Sequence, residues 1–118
     1  MNRTEPAFAC DLTRMSSADR DRLLENSRQI FAQATEAKAL PDGYALGFPQ
    51  ASPELLAKIA AFMAYDRLCC TFLRHELVSE PYGGMTWLRL TGEPGVKEFI
   101  RTDLRGMLPS PLATAVVT

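Results

Sequence analysis

Two adjacent cysteines, Cys69 and Cys70, and a third far upstream, Cys10, are the residues of this chain with the most to offer chemically. Thiolates are the ligands that soft or borderline metals such as zinc, copper(I) and mercury prefer. Neighbouring side chains diverge by about 100° on a helix and by nearly 180° on a strand, so Cys69 and Cys70 reach one ion only where the backbone bends. They fall where a helix must end and a strand begin, which supplies that bend. Asp66 precedes Cys69 by three residues and Cys70 by four, which puts its carboxylate on the same helical face. His75, the only histidine, follows with Glu76 beside it. The candidate ligands for a metal are therefore Cys10, Cys69, Cys70, His75 and Asp66.

Other readings of the same residues stand beside this one. No C-x-x-C or C-x-x-C…H-x-x-x-H pattern of a structural zinc site occurs. Buried cysteines also serve as small packing groups, and a vicinal Cys69–Cys70 disulfide is a strained alternative. A nucleophilic pair would need a thiol within hydrogen-bond reach of His75 and a pocket with oxyanion donors. No catalytic signature surrounds the cysteines, so an enzyme is not the expectation. In a strand His75 is in phase with Leu73 and Leu77, where a histidine bonded to a carboxylate or carbonyl is the ordinary outcome. Gly83-Gly84 and Gly92 with Gly95 lack the G-x-G-x-x-G form of a phosphate loop and read as turns. Trp87, Tyr82, Phe72 and Met85 read as core, and Arg74, Glu76 and Arg89 as cross-strand charges on an outer face.

The elements that position these groups are legible from period and punctuation. Ala7 to Leu12 reads as a short strand carrying Cys10. Ser16-Ser17-Ala18-Asp19 has a capping spacing, and Leu23, Leu24, Ser27, Ile30, Phe31 and Ala34 recur at helical intervals after it. Pro41-Asp42-Gly43, with Gly43 expected in a left-handed turn position, joins Thr35 to Leu40 with Tyr44 to Phe48 as a hairpin. Ser52-Pro53-Glu54 opens a second helix with a cap, a first-turn proline and an acid at the positive end of the dipole. Its apolar face runs through Leu55, Leu56, Ile59, Ala60, Phe62 and Met63 toward Asp66 and the cysteine pair. Thr71 to Ser79 and Met85 to Thr91 form a second hairpin, and Val96 to Arg105 a last helix. The predicted fold is α+β: strand, helix, hairpin, helix, hairpin, helix. An antiparallel or mixed sheet carries the helices on one face, and the first six elements match a ferredoxin-like unit.

At 118 residues, with 47% hydrophobic and 23% charged residues, the chain suits one globular domain, which excludes wholesale disorder and a low-complexity fibre. That domain is expected over 1–107, with an uncharged, proline-bearing tail over 108–118. A formal charge of -1 without any run of like charge argues against nucleic acid as a partner. No stretch approaches the ~20 apolar residues of a membrane span, and Met1 to Ala9 does not read as an export signal. Three cysteines in such a chain read as free thiols in the cytoplasm.

The motifs Ala9-Cys10-Asp11-Leu12-Thr13, Leu40 to Pro49, Cys69-Cys70-Thr71-Phe72 and Trp87-Leu88-Arg89-Leu90-Thr91-Gly92 resemble those of a family of small, largely uncharacterised bacterial proteins associated with metal-resistance gene neighbourhoods, mercury and arsenic especially. The likeness covers about Ala9 to Ile100. Here Thr71 stands where proline is usual, and Asp66 near the usual glutamate. The resemblance implies that Cys10, Cys69 and Cys70 form one constellation. Three thiolates suit trigonal mercury or arsenite, and His75 or Asp66 can serve as a fourth ligand to a tetrahedral ion. The expected function is binding of a thiophilic metal or metalloid ion at an exposed or half-exposed thiol cluster, its thiols lowered in pKa by Arg67 or Arg74. The alternative is a noncatalytic interaction or dimerisation module, a homodimer for instance, whose cysteines are structural.

Overall fold

A computed structural model describes residues 8–116 of the chain. Helix α1 spans Ser17–Phe31, and the Ser16 hydroxyl accepts the Asp19 N–H at 3.1 Å. Strands β1, Glu36–Leu40, and β2, Gly43–Phe48, pair as the first hairpin. Helix α2 spans Pro53–Cys69, with the Ser52 hydroxyl accepting the Leu55 N–H at 3.1 Å. Each cap satisfies an N–H that the helix itself leaves without a partner. Strands β3, Arg74–Ser79, and β4, Thr86–Thr91, form the second hairpin. Helix α3, Val96–Met107, and the short α4, Ser110–Ala115, follow.

The four strands form one antiparallel sheet in the order β1-β2-β4-β3. This is an α+β fold compatible with a ferredoxin-like arrangement. The slot beside β2 that a leading strand takes in a β-α-β-β-α-β sheet is filled here by β4, the closing strand. That displaces the expectation of a strand over Ala7 to Leu12. Ala7 lies outside the described residues; Phe8 to Asp11 join no sheet, and Leu12–Arg14 make a single 3-10 turn. With β4 in place, the segment's Asp11 N–H goes to the Cys69 carbonyl at 3.0 Å instead of to a ladder.

Side-chain alternation decides which face of the sheet is covered. Leu88 and Leu90 of β4 and the partly buried Leu77 of β3 join the core with Leu46, Phe48, Ile59, Phe62 and Ile100. Trp87 and Arg89 point the other way. Trp87 lies under the Lys38 ammonium, 4.6 Å from the ring centroid, and Arg89 and Arg74 approach Glu76 at 3.7 and 3.8 Å. Arg89 thus meets Glu76 across the strands as expected, whereas Arg74 meets Glu76 along β3 itself, and Trp87, Met85 and the fully exposed Tyr82 lie outside the core.

Gly43 has an ordinary negative φ, contrary to the left-handed expectation; it is small because a Cβ there would collide with the Leu90 and Thr91 backbone of β4. The segment read as a tail carries α4 and buries Leu108 and Val116 in the core. Among the described residues no helix is long and apolar enough to cross a membrane. Of the Met1 to Ala9 stretch, residues 1–7 lie outside the described residues.

Candidate functional site

The last carbonyls of any α-helix lack intrahelical donors, and at the end of α2 the N-terminal segment provides them. Arg14 Nε donates to the Leu68 carbonyl at 3.1 Å, and the Asp11 N–H to that of Cys69 at 3.0 Å. The Cys70 N–H closes onto the Asp66 carbonyl at 2.8 Å, and Cys70 then leaves helical geometry at φ -104°, ψ 70°. These bonds bring residue 10 against residue 70 although 60 positions separate them. The backbone bend that two adjacent thiols need is there.

Cys10 and Cys70 are joined in a disulfide, and Cys69 is a buried free thiol. The reading of three free thiols is corrected accordingly. Cys69 Sγ stands 3.7 Å from Cys70 Sγ and 3.5 Å from the Asp66 carbonyl oxygen. Asp66 Oδ1 lies 3.6 Å from Cys70 Sγ, and its Oδ2 is 2.7 Å from His75 Nε2. One potential ligand atom from each of Cys10, Asp66, Cys69 and Cys70 falls within 4.8 Å of the others. The buried stripe of α2 is Leu55, Ile59, Phe62, Asp66 and Cys69, so the carboxylate occupies a position that helical period assigns to the core.

His75 stands outside that group of four. It projects from β3 toward α2, packs edge-on to Phe62 with centroids 6.1 Å apart, and meets the far oxygen of Asp66. With Nε2 engaged by Asp66, the ring fixes the orientation of the carboxylate. The pairing of a thiol with His75 that nucleophilic catalysis requires is replaced by this Asp66 contact.

The expected exposure and acidity of the thiols are also corrected. Cys69 and Cys70 are 3% and 2% exposed, and only Cys10 is half-buried. Burial and, next, the Asp66 charge raise the Cys69 pKa. Arg67 and Arg74 are exposed, and Arg74 faces Glu76. A helix C-terminus is also the negative end of the dipole, where thiolate formation is disfavoured.

The site opens on an apolar cavity of about 180 Å³, its walls including Leu23, Phe31, Phe62, Ile100 and Leu104 together with all three cysteines and Asp66. Asp103 of α3 shares this cavity, and partial burial followed by the Asp66 charge raises its carboxyl pKa. The sequence indicated neither the cavity nor Asp103; Asp103 lies seven residues after Val96 and three after Ile100, and this helical period is the one signal that separates it from Glu98, the other acid of α3. No protein family, curated protein or solved structure matches this chain.

Proposed function

We propose that the chain, once the Cys10–Cys70 disulfide is reduced, binds a thiophilic metal or metalloid ion through Cys10, Cys69 and Cys70. The observation that carries this reading is the convergence of three sulfurs and the Asp66 carboxylate within 4.8 Å. Three sulfurs suit the trigonal coordination of arsenic(III) or mercury(II). Asp66, held from behind by His75, can accept a thiol proton or close a tetrahedral set around a borderline ion such as zinc. The resemblance to proteins of metal-resistance neighbourhoods supports the same ligand class.

The chemistry balances in two steps. A thiol reductant delivers two electrons and two protons to the disulfide and is itself oxidised to a disulfide. Arsenous acid then exchanges three As–O bonds for three As–S bonds, and each thiol proton leaves in a water molecule. A divalent cation would instead displace the thiol protons into solution.

Native mass spectrometry tests the reading on chain reduced with a trialkylphosphine and desalted without oxygen. A one-to-one arsenite adduct that protects all three thiols from alkylation is the expected result. It should vanish in Cys69→Ser and Cys70→Ser. An unmodified mass with arsenite and mercury(II) alike would overturn the proposal.

The burial of Cys69 and Cys70 in the core favours one other reading, in which the disulfide and the thiol only hold the N-terminal segment on α2. It predicts no stoichiometric ion, and loss of stability rather than of binding in the serine variants.

A further inference from the structure

A bare ion needs donors and nothing else, yet the sulfurs here line an apolar cavity of about 180 Å³. The geometry points to a ligand of mixed character: a trivalent organometalloid, one small apolar substituent on an arsenic(III) centre, with the metalloid on the thiols and the substituent in the cavity. This rests on the thiol-cluster reading above and names its substrate class.

Size, lining and mouth each support this assignment. An apolar cavity of about 150 Å³ in another protein holds a benzene molecule, so a phenyl-sized group fits here. Leu23, Phe31, Ile100 and Leu104 of the wall are at most 3% exposed, and the one hydroxyl in the lining, on Ser27, is already spent on the Leu23 carbonyl at 2.7 Å. The apolar part of the wall therefore offers an organic substituent contact, while the carboxylates of Asp66, held by His75 at 2.7 Å, and Asp103 border the same cavity. Leu24 and Met107, which also line the cavity, are 49% and 45% exposed. Large apolar side chains left open beside a cavity are what an apolar ligand would cover.

The coordination chemistry fits as well. A monosubstituted arsenic(III) centre, R–As(OH)₂, takes two thiols: two As–O bonds break, two As–S bonds form, and the two thiol protons leave with the oxygens as two waters. The As–C bond stays intact and no redox change occurs. Cys69 and Cys70, with sulfurs 3.7 Å apart, are a dithiol of suitable reach.

Calorimetric titration of the phosphine-reduced, full-length chain under nitrogen provides the test, with arsenite, methylarsonous acid and phenylarsine oxide as probes. The phenyl-to-methyl affinity ratio, referred to the same ratio on free dithiothreitol, should be about tenfold or more, because only the protein buries the ring. Ser27→Leu fills the cavity and should bring that ratio down to the dithiothreitol value with arsenite binding unchanged. Met107→Ser, at the exposed mouth, should lower it without touching the core, and keeps the test available if the first variant does not fold. Arsenite binding with a phenyl-to-methyl ratio no larger than on dithiothreitol would overturn the cavity inference and leave the thiol site standing. A ratio that survives in the folded variants would overturn the assignment to this cavity. Failure of all three probes would overturn the thiol site itself.

Discussion

Reduction of the Cys10–Cys70 disulfide should destabilise the chain by an amount that its topology sets, and a bound ion should return much of that loss. The two cysteines lie 60 positions apart. On the chain-entropy account, cross-linking a loop of that length lowers the entropy of the unfolded chain enough to stabilise the fold by about 4 kcal/mol. The native state offers the reduced thiols little in exchange. Cys70 Sγ can donate to Asp66 Oδ1 across 3.6 Å, a weak contact, and the Asp11 and Arg14 bonds to α2 persist without the covalent tie. With a urea m value of about 2 kcal/mol per molar, the midpoint should fall by about 2 M on reduction.

Trp87, the only tryptophan, sits in β4 under Lys38 and reports unfolding of the sheet by its fluorescence. Urea melts of oxidised chain, phosphine-reduced chain and Cys10→Ser should fall into two groups, the oxidised chain alone being the more stable. Arsenite at one hundred times its dissociation constant should then return about 2.7 kcal/mol to the reduced chain, since it binds only where the thiols are gathered. It should do far less for Cys10→Ser, which has lost one sulfur. Coincident midpoints for oxidised and reduced chain would refute the connection of residue 10 to residue 70. A reduced chain indifferent to arsenite would refute the ion-binding half of the reasoning.

Cadmium binding by the reduced chain should strengthen with pH to beyond the ordinary thiol range. The cation displaces thiol protons, and the raised Cys69 pKa keeps that proton in competition to higher pH; flat affinity above pH 7, followed by sulfur-to-cadmium absorbance, would contradict this. Asp66→Asn keeps an acceptor for His75 but removes the charge, and should cost about 1–3 kcal/mol in urea melts. The same variant should make Cys69 easier to ionise, seen as faster alkylation at a fixed pH after allowance for the fraction unfolded. Gly43→Ala should cost about 1–3 kcal/mol, as overpacked cores do, because its Cβ would meet the β4 backbone rather than a flexible side chain; a midpoint within about 0.5 M of the parent would argue against the β2–β4 register.

What was legible in the sequence was local, and what was missed depended on contacts distant along the chain. Ser16 and Ser52 cap their helices as the spacing promised, both hairpins are present, and the helical period put Asp66 on the stripe that ends at Cys69. Phe8, Cys10 and Leu12 show the alternation of a strand, but alternation says only that one side of a segment is buried. Whether it pairs depends on a free sheet edge, and β4 occupies the place beside β2. The same segment instead supplies donors that the end of α2 lacks, and in doing so it carries Cys10 to Cys70. Capping of α2 and assembly of the sulfur cluster are thus one structural event. A helix end without its own donors recruits the N-terminal segment, and the recruited segment brings the third sulfur. Disrupting the Asp11 and Arg14 contacts should accordingly loosen the thiol cluster even with every cysteine in place, a coupling that no spacing of cysteines along the chain could reveal.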